Sequence, residues 1–582
     1  MIRLDCLAVA AIFAAGFACL RREHKIAGAA LVGVAAAMLT GFLPWRAANV
    51  LNARLSGFHR WFVPRSAQIR RVLNALGALC GATAGISAFA TAPGERLSDW
   101  YTPAETAKVD AELGRILRDK TGRERTLLGL TSSRRPVYLG AREREGHMQI
   151  VGPTRSGKSQ LLLALAAQDM SARLPLFFME AKGDKGDFDQ FLKAAAESDR
   201  VDAVRYFNPQ DARSMTFNPI RPIPGQDPTA LANQIARAIG REPSSSGEGQ
   251  DYYRAVDYAK IQNMSEVFAR TGRAFSLRDC FYYFAFADAR EEALKLCGDK
   301  RLIKLAREEF KSNPDSSGLI SALRPWTTGT LGELLNCYSP QIKLEEIFER
   351  SQAAYFAVPI GHLQVLANPL GRMVISGLLS VAAARQRAEP KPEPATVILD
   401  EFAEFATPAF AGFIATVGSA RLRTILSHQD LGQLRRVEGM DQDAFRSIVF
   451  NNTGGCKVCF RSPHPEDAEF WAATLGTRTT TADTERVEGA VFGERRTGDR
   501  SRRQVEQFKV HPNQLKSLES GTALVLSGRE NCLVRTARVH RTFGGRPVPS
   551  LPAPPIEERG LDLRSAAQDY GDEAAMAAGG RA

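Results

Sequence analysis

The chain has 582 residues and carries 76 Lys and Arg against 64 Asp and Glu, a net charge of +12. This length exceeds one ordinary domain and allows a large buried core. With 44% hydrophobic and 24% charged residues and nine cysteines without framework spacing, the composition is that of a globular protein with reduced thiols and excludes a disulfide-stapled scaffold. The basic balance favours polyanions or membrane surfaces as partners.

The first hundred residues carry the pattern of a membrane anchor. Residues 4–20 and 26–44 are apolar stretches long enough to cross a bilayer, and 72–92 is a weaker third candidate. A cleaved signal peptide accounts for the first stretch only, so the second favours a two-helix anchor over residues 1–100. Residues 45–71 hold six arginines and no acid, which favours the cytoplasmic side of the inner membrane. We expect a multi-pass protein with its soluble part in the cytoplasm, and three spans remain the alternative.

The sequence GPTRSGKS at residues 152–159 is a P-loop, because an apolar stretch precedes it and helical spacing follows it. Glycines in such a loop let successive N–H groups face an anion at a helix N-terminus. Lys158 is expected to neutralise the β- and γ-phosphates, and Ser159 to ligate Mg²⁺. The predicted site for ATP and Mg²⁺ consists of Gly152, Pro153, Thr154, Arg155, Ser156, Gly157, Lys158 and Ser159.

A second apolar strand, residues 395–399, ends in Asp400 and Glu401. This is the pattern of a Walker B strand, in which the aspartate holds Mg²⁺ and the glutamate activates a water. A third strand, residues 424–427, leads to Gln429, a candidate sensor of the γ-phosphate because carboxyl ends of parallel strands converge. Arg421, with Arg423 as the alternative, is a candidate arginine finger acting on a neighbouring subunit.

The chain beyond residue 100 reads as α/β. Strand patterns at 136–139, 148–151, 174–179, 353–358, 395–399, 424–427 and 454–460 alternate with helical stretches, which predicts a doubly wound, mostly parallel sheet of the RecA-like P-loop NTPase class. We assign this domain to residues 101–226 and 344–543. The strand signal vanishes over 227–343, which predicts an inserted all-α domain, and 544–582 has the composition of a disordered tail. Cys456 and Cys459 form a CxxC in a strand pattern, where they would point to opposite faces.

These features together resemble the TraG/TraD coupling ATPases of type IV secretion systems. The order of the anchor, PVYLG at 136–140, GPTRSGKS, KGD at 182–184, FNPI at 217–220, the helical insert, ILDEF at 398–402 and SHQDLGQL at 427–434 carries the resemblance over most of the chain. It implies a membrane-anchored hexamer that hydrolyses ATP and delivers DNA or protein to a secretion channel, with relaxosome or relaxase and channel components as partners. Arg155 departs from the small residue usual in the loop.

DNA contact depends on two candidate patches. The resemblance implies sequence-tolerant binding through phosphates, for which the basic loop from Arg495 to Arg503 and the mixed patch from Tyr252 to Arg254 are candidates, each with ordinary solvated surface as its alternative. Two other functions fit a P-loop behind an anchor: an FtsK-type DNA translocase and a scaffold that binds nucleotide without hydrolysis. The first normally carries a C-terminal winged helix that residues after 542 cannot supply, and the second has no need of Glu401.

Overall fold

The computed structural model describes residues 103–564 except 242–249, 408–409, 438, 452–453, 491–492, 529–530, 544 and 552–559. The chain divides into two compact units, Met1–Arg96 and Leu97–Ala582. The predicted membrane segments and the arginine-rich stretch 45–71 lie outside the described residues, so the multi-pass anchor stays a prediction.

Thirteen strands occur in the described part of the second unit. They are β1 (Arg125–Leu130), β2 (Pro136–Gly140), β3 (Met148–Val151), β4 (Leu176–Glu180), β5 (Val204–Phe207), β6 (Ala353–Ala357), β7 (Ala395–Leu399), β8 (Leu422–His428), β9 (Cys456–Cys459), β10 (Thr477–Ala490), β11 (Gly493–Phe508), β12 (Thr522–Ser527) and β13 (Asn531–Arg535).

Eleven of these strands form one sheet in the order β2-β1-β13-β12-β9-β3-β8-β7-β4-β6-β5. From β9 to β5 every neighbouring pair is parallel, whereas β12, β13, β1 and β2 extend the sheet beyond β9 in antiparallel pairs. The prediction of a mostly parallel sheet therefore holds for one part, and the sheet as a whole is mixed. The difference arises because β12, which follows the predicted strands in the chain, pairs antiparallel with β9, and β13 then pairs with β12 and β1.

The helices that surround this sheet are α1 (Pro103–Asp119), α2 (Ala141–Glu145), α3 (Lys158–Ser171), α4 (Lys185–Glu197), α5 (Pro228–Ala238), α6 (Gln250–Thr271), α7 (Leu277–Ala285), α8 (Ala287–Cys297), α9 (Lys300–Ser312), α10 (Ser317–Leu323), α11 (Gly329–Leu335), α12 (Leu344–Glu349), α13 (Ile360–Leu363), α14 (Ala367–Arg387), α15 (Phe410–Val417), α16 (Leu431–Arg435), α17 (Gln442–Arg446), α18 (Pro465–Leu475), α19 (Pro512–Lys516) and α20 (Val539–Phe543).

The sheet separates two apolar cores. Successive residues of one strand enter different cores, as Phe177 and Phe178 of β4 do, because side chains alternate across a strand. Residues of α3 and α4 cover one face, and residues of α5 and α14 cover the other. Cys456 and Cys459 lie in opposite cores, which confirms the prediction that they point to opposite faces of the strand.

Between β5 and β6 the described residues contain helices α5 to α12 and no strand. A short part of the predicted tail packs against this region: Leu561 and Leu563 are buried, and the Leu561 N–H donates to the Ala274 carbonyl at 2.7 Å. Within the tail predicted to be disordered, burial of these two leucines thus attaches residues 560–564 to the helical region.

By length and composition, one helical stretch in the described part, Ile360–Arg387, is apolar enough to cross a membrane. It comprises α13 and α14, and 56% of its most apolar window is buried inside the protein. A core helix meets the same criterion, and α14 contributes many residues to the core on its face of the sheet.

Candidate nucleotide site

The P-loop joins the end of β3 to the start of α3. Gly157 precedes α3 with φ 114°, and Arg155 has φ 63°, so both stand in the left-handed region that L side chains rarely adopt. A Cβ at Gly152 would lie 2.6 Å from the Cβ of Phe460 on the strand end beside it. Both glycines are thus required by the shape of the loop.

The turn at Ser520 and Gly521, far along the chain, is hydrogen-bonded to the backbone of the P-loop. The Gly521 N–H donates to the Ser156 carbonyl at 2.7 Å, and the Ser520 hydroxyl donates to the Arg155 carbonyl at 2.8 Å. Gly521 has φ 81°, and its Cα lies 3.1 Å from the position that a Cβ on Gly157 would take. Sequence analysis missed this contact, and only the glycine at 521 marks it.

The Walker B acids meet the P-loop lysine at the carboxyl edge of the sheet. Asp400 follows β7 and donates its N–H to the Met179 carbonyl of β4 at 2.8 Å. Glu401 has φ 52° and lies with its Oε1 3.8 Å from the Lys158 Nζ. Lys158 is buried and donates to the Gly152 carbonyl at 2.5 Å. The structure therefore brings together the cation and both acids that the sequence predicted.

A second lysine, which the sequence analysis did not assign to the site, joins this group. The Lys182 Nζ lies 2.9 Å from the Glu401 Oε1. Its backbone is held by Glu180 at the end of β4, whose carboxyl accepts from the N–H of Lys182 at 2.6 Å and of Gly183 at 2.9 Å. The KGD sequence at 182–184, noted as a family motif, was the available signal.

Burial and neighbouring charges shift the pKa values of the side chains at this edge of the sheet in opposite directions. Burial alone would raise the pKa of Glu401, but Lys158 and Lys182 outweigh it and lower the pKa of Glu401 below its usual range. Burial lowers the pKa of Lys158, against the attraction of Glu401 and Asp400. Burial raises the pKa of Glu180 to about 8. The lysine and carboxylate charges thus depend on one another in a region that excludes water.

Gln429 follows β8 and reaches the same edge. Its side-chain amide is among the neighbours that lower the pKa of Glu401. The adjacent His428 is buried, contacts the side-chain nitrogen of Gln149 through Nε2 at 2.9 Å, and lies with Nδ1 2.8 Å from the Asp430 carbonyl. The predicted sensor thus stands beside the predicted base.

The candidate arginine finger lies elsewhere. Arg421 immediately precedes β8, and its carbonyl accepts from Ala395, the first residue of β7, which places it at the amino end of the parallel strands. Its guanidinium donates to the Pro392 carbonyl at 3.2 Å. Arg423 is buried one position inside β8. Since the P-loop follows the carboxyl end of β3, neither arginine belongs to the P-loop site of its own chain.

The two candidate DNA patches lie on different kinds of secondary structure. Tyr252 and Tyr253 lie on α6 and are exposed, with their rings 5.6 Å apart. The stretch from Arg495 to Arg503, predicted as a loop, is instead part of β11 and pairs with β10 in a separate two-stranded sheet. Few residues of this hairpin are apolar, so its sequence lacks the alternation of apolar and polar residues that predicts a strand.

A cleft of about 310 Å³ opens over the P-loop. Its lining includes seven P-loop and helix residues together with residues from three distant segments: Pro153, Thr154, Arg155, Gly157, Lys158, Ser159, Gln160, Lys182, Ser520, Gly521, Thr536, Ala537 and Arg538. Two lysines, a helix N-terminus and the buried, unpartnered Ser156 hydroxyl fit the phosphates of a nucleotide. Within the described residues no cluster of three or more metal-ligating side chains occurs. Asp400 and Ser159 suit Mg²⁺, which needs one or two protein ligands when phosphates supply others.

Comparison with known proteins gives the following matches. Residues 394–520 match the family described as the TraM recognition site of TraD and TraG. No curated protein matches the chain. The bacterial conjugative coupling protein TrwBdeltaN70, in its unbound monoclinic form, is 17% identical with a TM-score of 0.51 over 75% of this chain and 94% of that chain.

Two further solved structures are similar at lower TM-scores. The plasmid coupling protein TrwB in complex with ADP and Mg²⁺ is 17% identical, with a TM-score of 0.49 over 75% of this chain and 94% of that chain. VirB4 of Thermoanaerobacter pseudethanolicus is 13% identical, with a TM-score of 0.44 over 72% of this chain and 98% of that chain. The similarity to TrwBdeltaN70 establishes a shared fold, and the matched segment 394–520 contains Asp400, Glu401 and Gln429.

Proposed function

We propose that this chain, a member of the TraG/TraD family of type IV secretion coupling proteins, is a membrane-anchored hexameric ATPase that couples hydrolysis to delivery of DNA or nucleoprotein to a secretion channel. The observation that carries the proposal is the meeting of Lys158 and Glu401 in one buried site at the P-loop, 3.8 Å apart. A phosphate-binding cation and a water-activating base are the two groups that ATP hydrolysis requires.

Each residue has a defined part in this reaction. The P-loop N–H groups and Lys158 bind the β- and γ-phosphates, while Asp400 and Ser159 would hold Mg²⁺, which neutralises charge on those phosphates. Glu401 takes the proton of the attacking water, and Gln429 orients the water and the base. Burial of Lys158 and Glu401 strengthens these interactions because the local dielectric is low.

Assembly completes the site. Arg421 lies at the amino end of β8, remote from the P-loop of its own chain, and we assign it the role of an arginine finger that enters a neighbouring subunit. Such a finger stabilises the charge that develops on the transferred phosphoryl group. A closed ring of six subunits gives every site one finger.

The cargo and partners follow from the family. DNA of any sequence must be held through its phosphates, and the β10–β11 hairpin with its arginines is the proposed contact. Relaxosome or relaxase proteins present the substrate, and channel components receive it. The apolar segments before residue 45 anchor the protein in the inner membrane.

The proposal is tested by nucleotide binding and hydrolysis in purified protein. The Lys158→Ala variant should lose ATP binding, because phosphate neutralisation is removed. The Glu401→Gln variant should bind ATP and lose turnover by at least about 100-fold, the usual contribution of a general base. Wild-type hydrolysis by the Glu401→Gln variant would contradict the role of Glu401, and a wild-type protein that binds no nucleotide would contradict the proposed function.

A further inference from the structure

Two ammonium groups converge on one carboxylate oxygen in the P-loop site. The Lys182 Nζ lies 2.9 Å from the Glu401 Oε1, closer than the Lys158 Nζ at 3.8 Å. Glu401 is therefore a partner that the two lysines share.

The two lysines differ in their freedom to move. The Lys158 side chain is 3% exposed and donates to the Gly152 carbonyl, so the loop that binds phosphate also holds its lysine. The Lys182 side chain is 38% exposed and lines the same cleft. Its backbone is held by Glu180, and Gly183 has φ 73° with Pro359 packed where a Cβ would stand. The side chain of Lys182 therefore has more freedom to leave Glu401 than the side chain of Lys158 has.

A γ-phosphate bound at the P-loop competes with Glu401 for this ammonium. A terminal phosphate carries more negative charge than a carboxylate and offers three oxygens, so a charge-assisted bond to it is the stronger one. Gln429 remains beside Glu401 as a neutral partner, and Asp400 and Asp430 add only negative charge nearby.

We propose that Lys182 leaves Glu401 when nucleotide binds and contacts the γ-phosphate instead. The inference rests on the proposed function and adds a substrate contact to it. In the reaction, the water oxygen forms a bond to the γ-phosphorus as the bond to the β,γ-bridging oxygen breaks. The proton passes to Glu401, and ADP leaves with the electron pair.

The first test measures affinities of the full 582-residue chain for Mg²⁺–ADP and for a Mg²⁺-bound non-hydrolysable ATP analogue. Lys182→Ala should weaken binding of the analogue by about tenfold, the worth of one charge-assisted hydrogen bond, and leave ADP affinity within about twofold. Lys182→Arg should retain the preference for the analogue. The matched control is Lys185→Ala, which removes the same charge from the exposed start of α4 and should change neither affinity.

The second test is a double-mutant cycle. Glu401→Gln removes the carboxylate that competes for Lys182, so this variant should bind the analogue several-fold more tightly than wild type. The gain should vanish in the variant that also carries Lys182→Ala. Equal losses for ADP and the analogue in Lys182→Ala, or a gain that persists in the double variant, would contradict the role of Lys182. A wild-type protein that binds neither nucleotide would instead contradict the proposed function itself.

Discussion

Gly521 donates its backbone N–H to the carbonyl of Ser156 at 2.7 Å and so fastens the P-loop to a turn far along the chain. The neighbouring bond from Ser520 to Arg155 spans 365 residues. The turn at Gly521 directly precedes β12, which begins at Thr522 in the antiparallel part of the sheet. The P-loop follows β3 in the parallel part, so the antiparallel part supports the phosphate-binding loop. The conformation of the P-loop thus depends on residues outside the recognised nucleotide motifs.

The first prediction concerns this turn. Gly521→Ala should destabilise the protein by about 1 kcal/mol, because φ 81° strains any L side chain, and should weaken nucleotide binding as the bond to Ser156 shifts. Thermal unfolding and nucleotide affinity are the measurements. Gly528→Ala is the control, since nothing lies within 4 Å of a Cβ there. Equal behaviour of the two variants would show that the turn does not hold the loop.

The second prediction concerns a buried ion pair. Arg144 donates to both oxygens of Asp169 at 2.6 and 2.7 Å and also to the hydroxyls of Thr126 and Thr396. Asp169→Ala leaves a guanidinium uncompensated in the core and should cost about 3–5 kcal/mol of unfolding free energy. Glu291→Ala, which breaks an exposed pair with Arg307, should leave the unfolding midpoint close to that of wild type. A small loss in Asp169→Ala would contradict the prediction.

The third prediction concerns pH. Burial lowers the pKa of both His147 and His428 to about 4, from an unfolded value near 6.5. The unfolded chain therefore binds more protons between pH 4 and 6.5, and stability should fall as pH falls through this window. Each histidine contributes at most about 1.4 kcal/mol per pH unit.

A single variant isolates one histidine. The His147 Nδ1 accepts from the Thr424 N–H at 3.0 Å, and its backbone has φ 60°, a conformation that asparagine tolerates. His147→Asn can keep the acceptor and should reduce the slope of stability against pH between pH 4 and 6.5. Unfolding by urea at several pH values measures that slope, and an unchanged slope would show that His147 does not titrate on unfolding.

The fourth prediction concerns the arginine finger. An Arg421→Ala subunit keeps its own P-loop, and a Lys158→Ala subunit can supply it with Arg421. Mixing the two inactive variants should therefore restore part of the ATPase activity. Mixing Lys158→Ala with Glu401→Gln is the control, because each subunit then carries a lesion in its own site. No recovery in the first mixture would exclude Arg421 as a finger acting between subunits.

The fifth prediction concerns which arginines of the β10–β11 hairpin contact DNA and which stabilise the hairpin. In the register of β10 and β11, Arg495, Arg500 and Arg502 stand opposite Glu488, Glu485 and Asp483. Cross-strand positions of opposite charge stabilise a hairpin, so these arginines are expected to serve the hairpin itself. Arg496 and Arg503 stand opposite Val487 and Ala482, and their charges are the better candidates for DNA phosphates.

Neutralising the second pair should therefore matter more for DNA. Arg496→Ala with Arg503→Ala should reduce the slope of log affinity against log salt by about 1.5 for single-stranded DNA, the worth of two phosphate contacts. Arg500→Ala with Arg502→Ala removes the same charge and should change the slope less. Equal effects of the two double variants would show that register does not select the DNA contacts.

Local sequence signals predicted a large part of the nucleotide site. The strands β3 and β7 have the predicted bounds, because apolar runs before a P-loop and before two acids have few other interpretations. In the eleven-stranded sheet, β1, β5, β12 and β13 were missed, and so were β10 and β11 of the separate hairpin. The pattern of apolar residues in these segments does not distinguish them from other parts of the chain.

The sequence by itself determined the residue types of the candidate nucleotide site: a P-loop, two acids at a strand end and an amide after the following strand. Tertiary structure alone decided which further groups join them. Lys182 reaches Glu401 because β4 pairs beside β7, and Gly521 reaches Ser156 because the chain returns to the sheet after β11. Such contacts depend on strand order, and strand order is set by burial summed over the whole sheet, which no local pattern encodes.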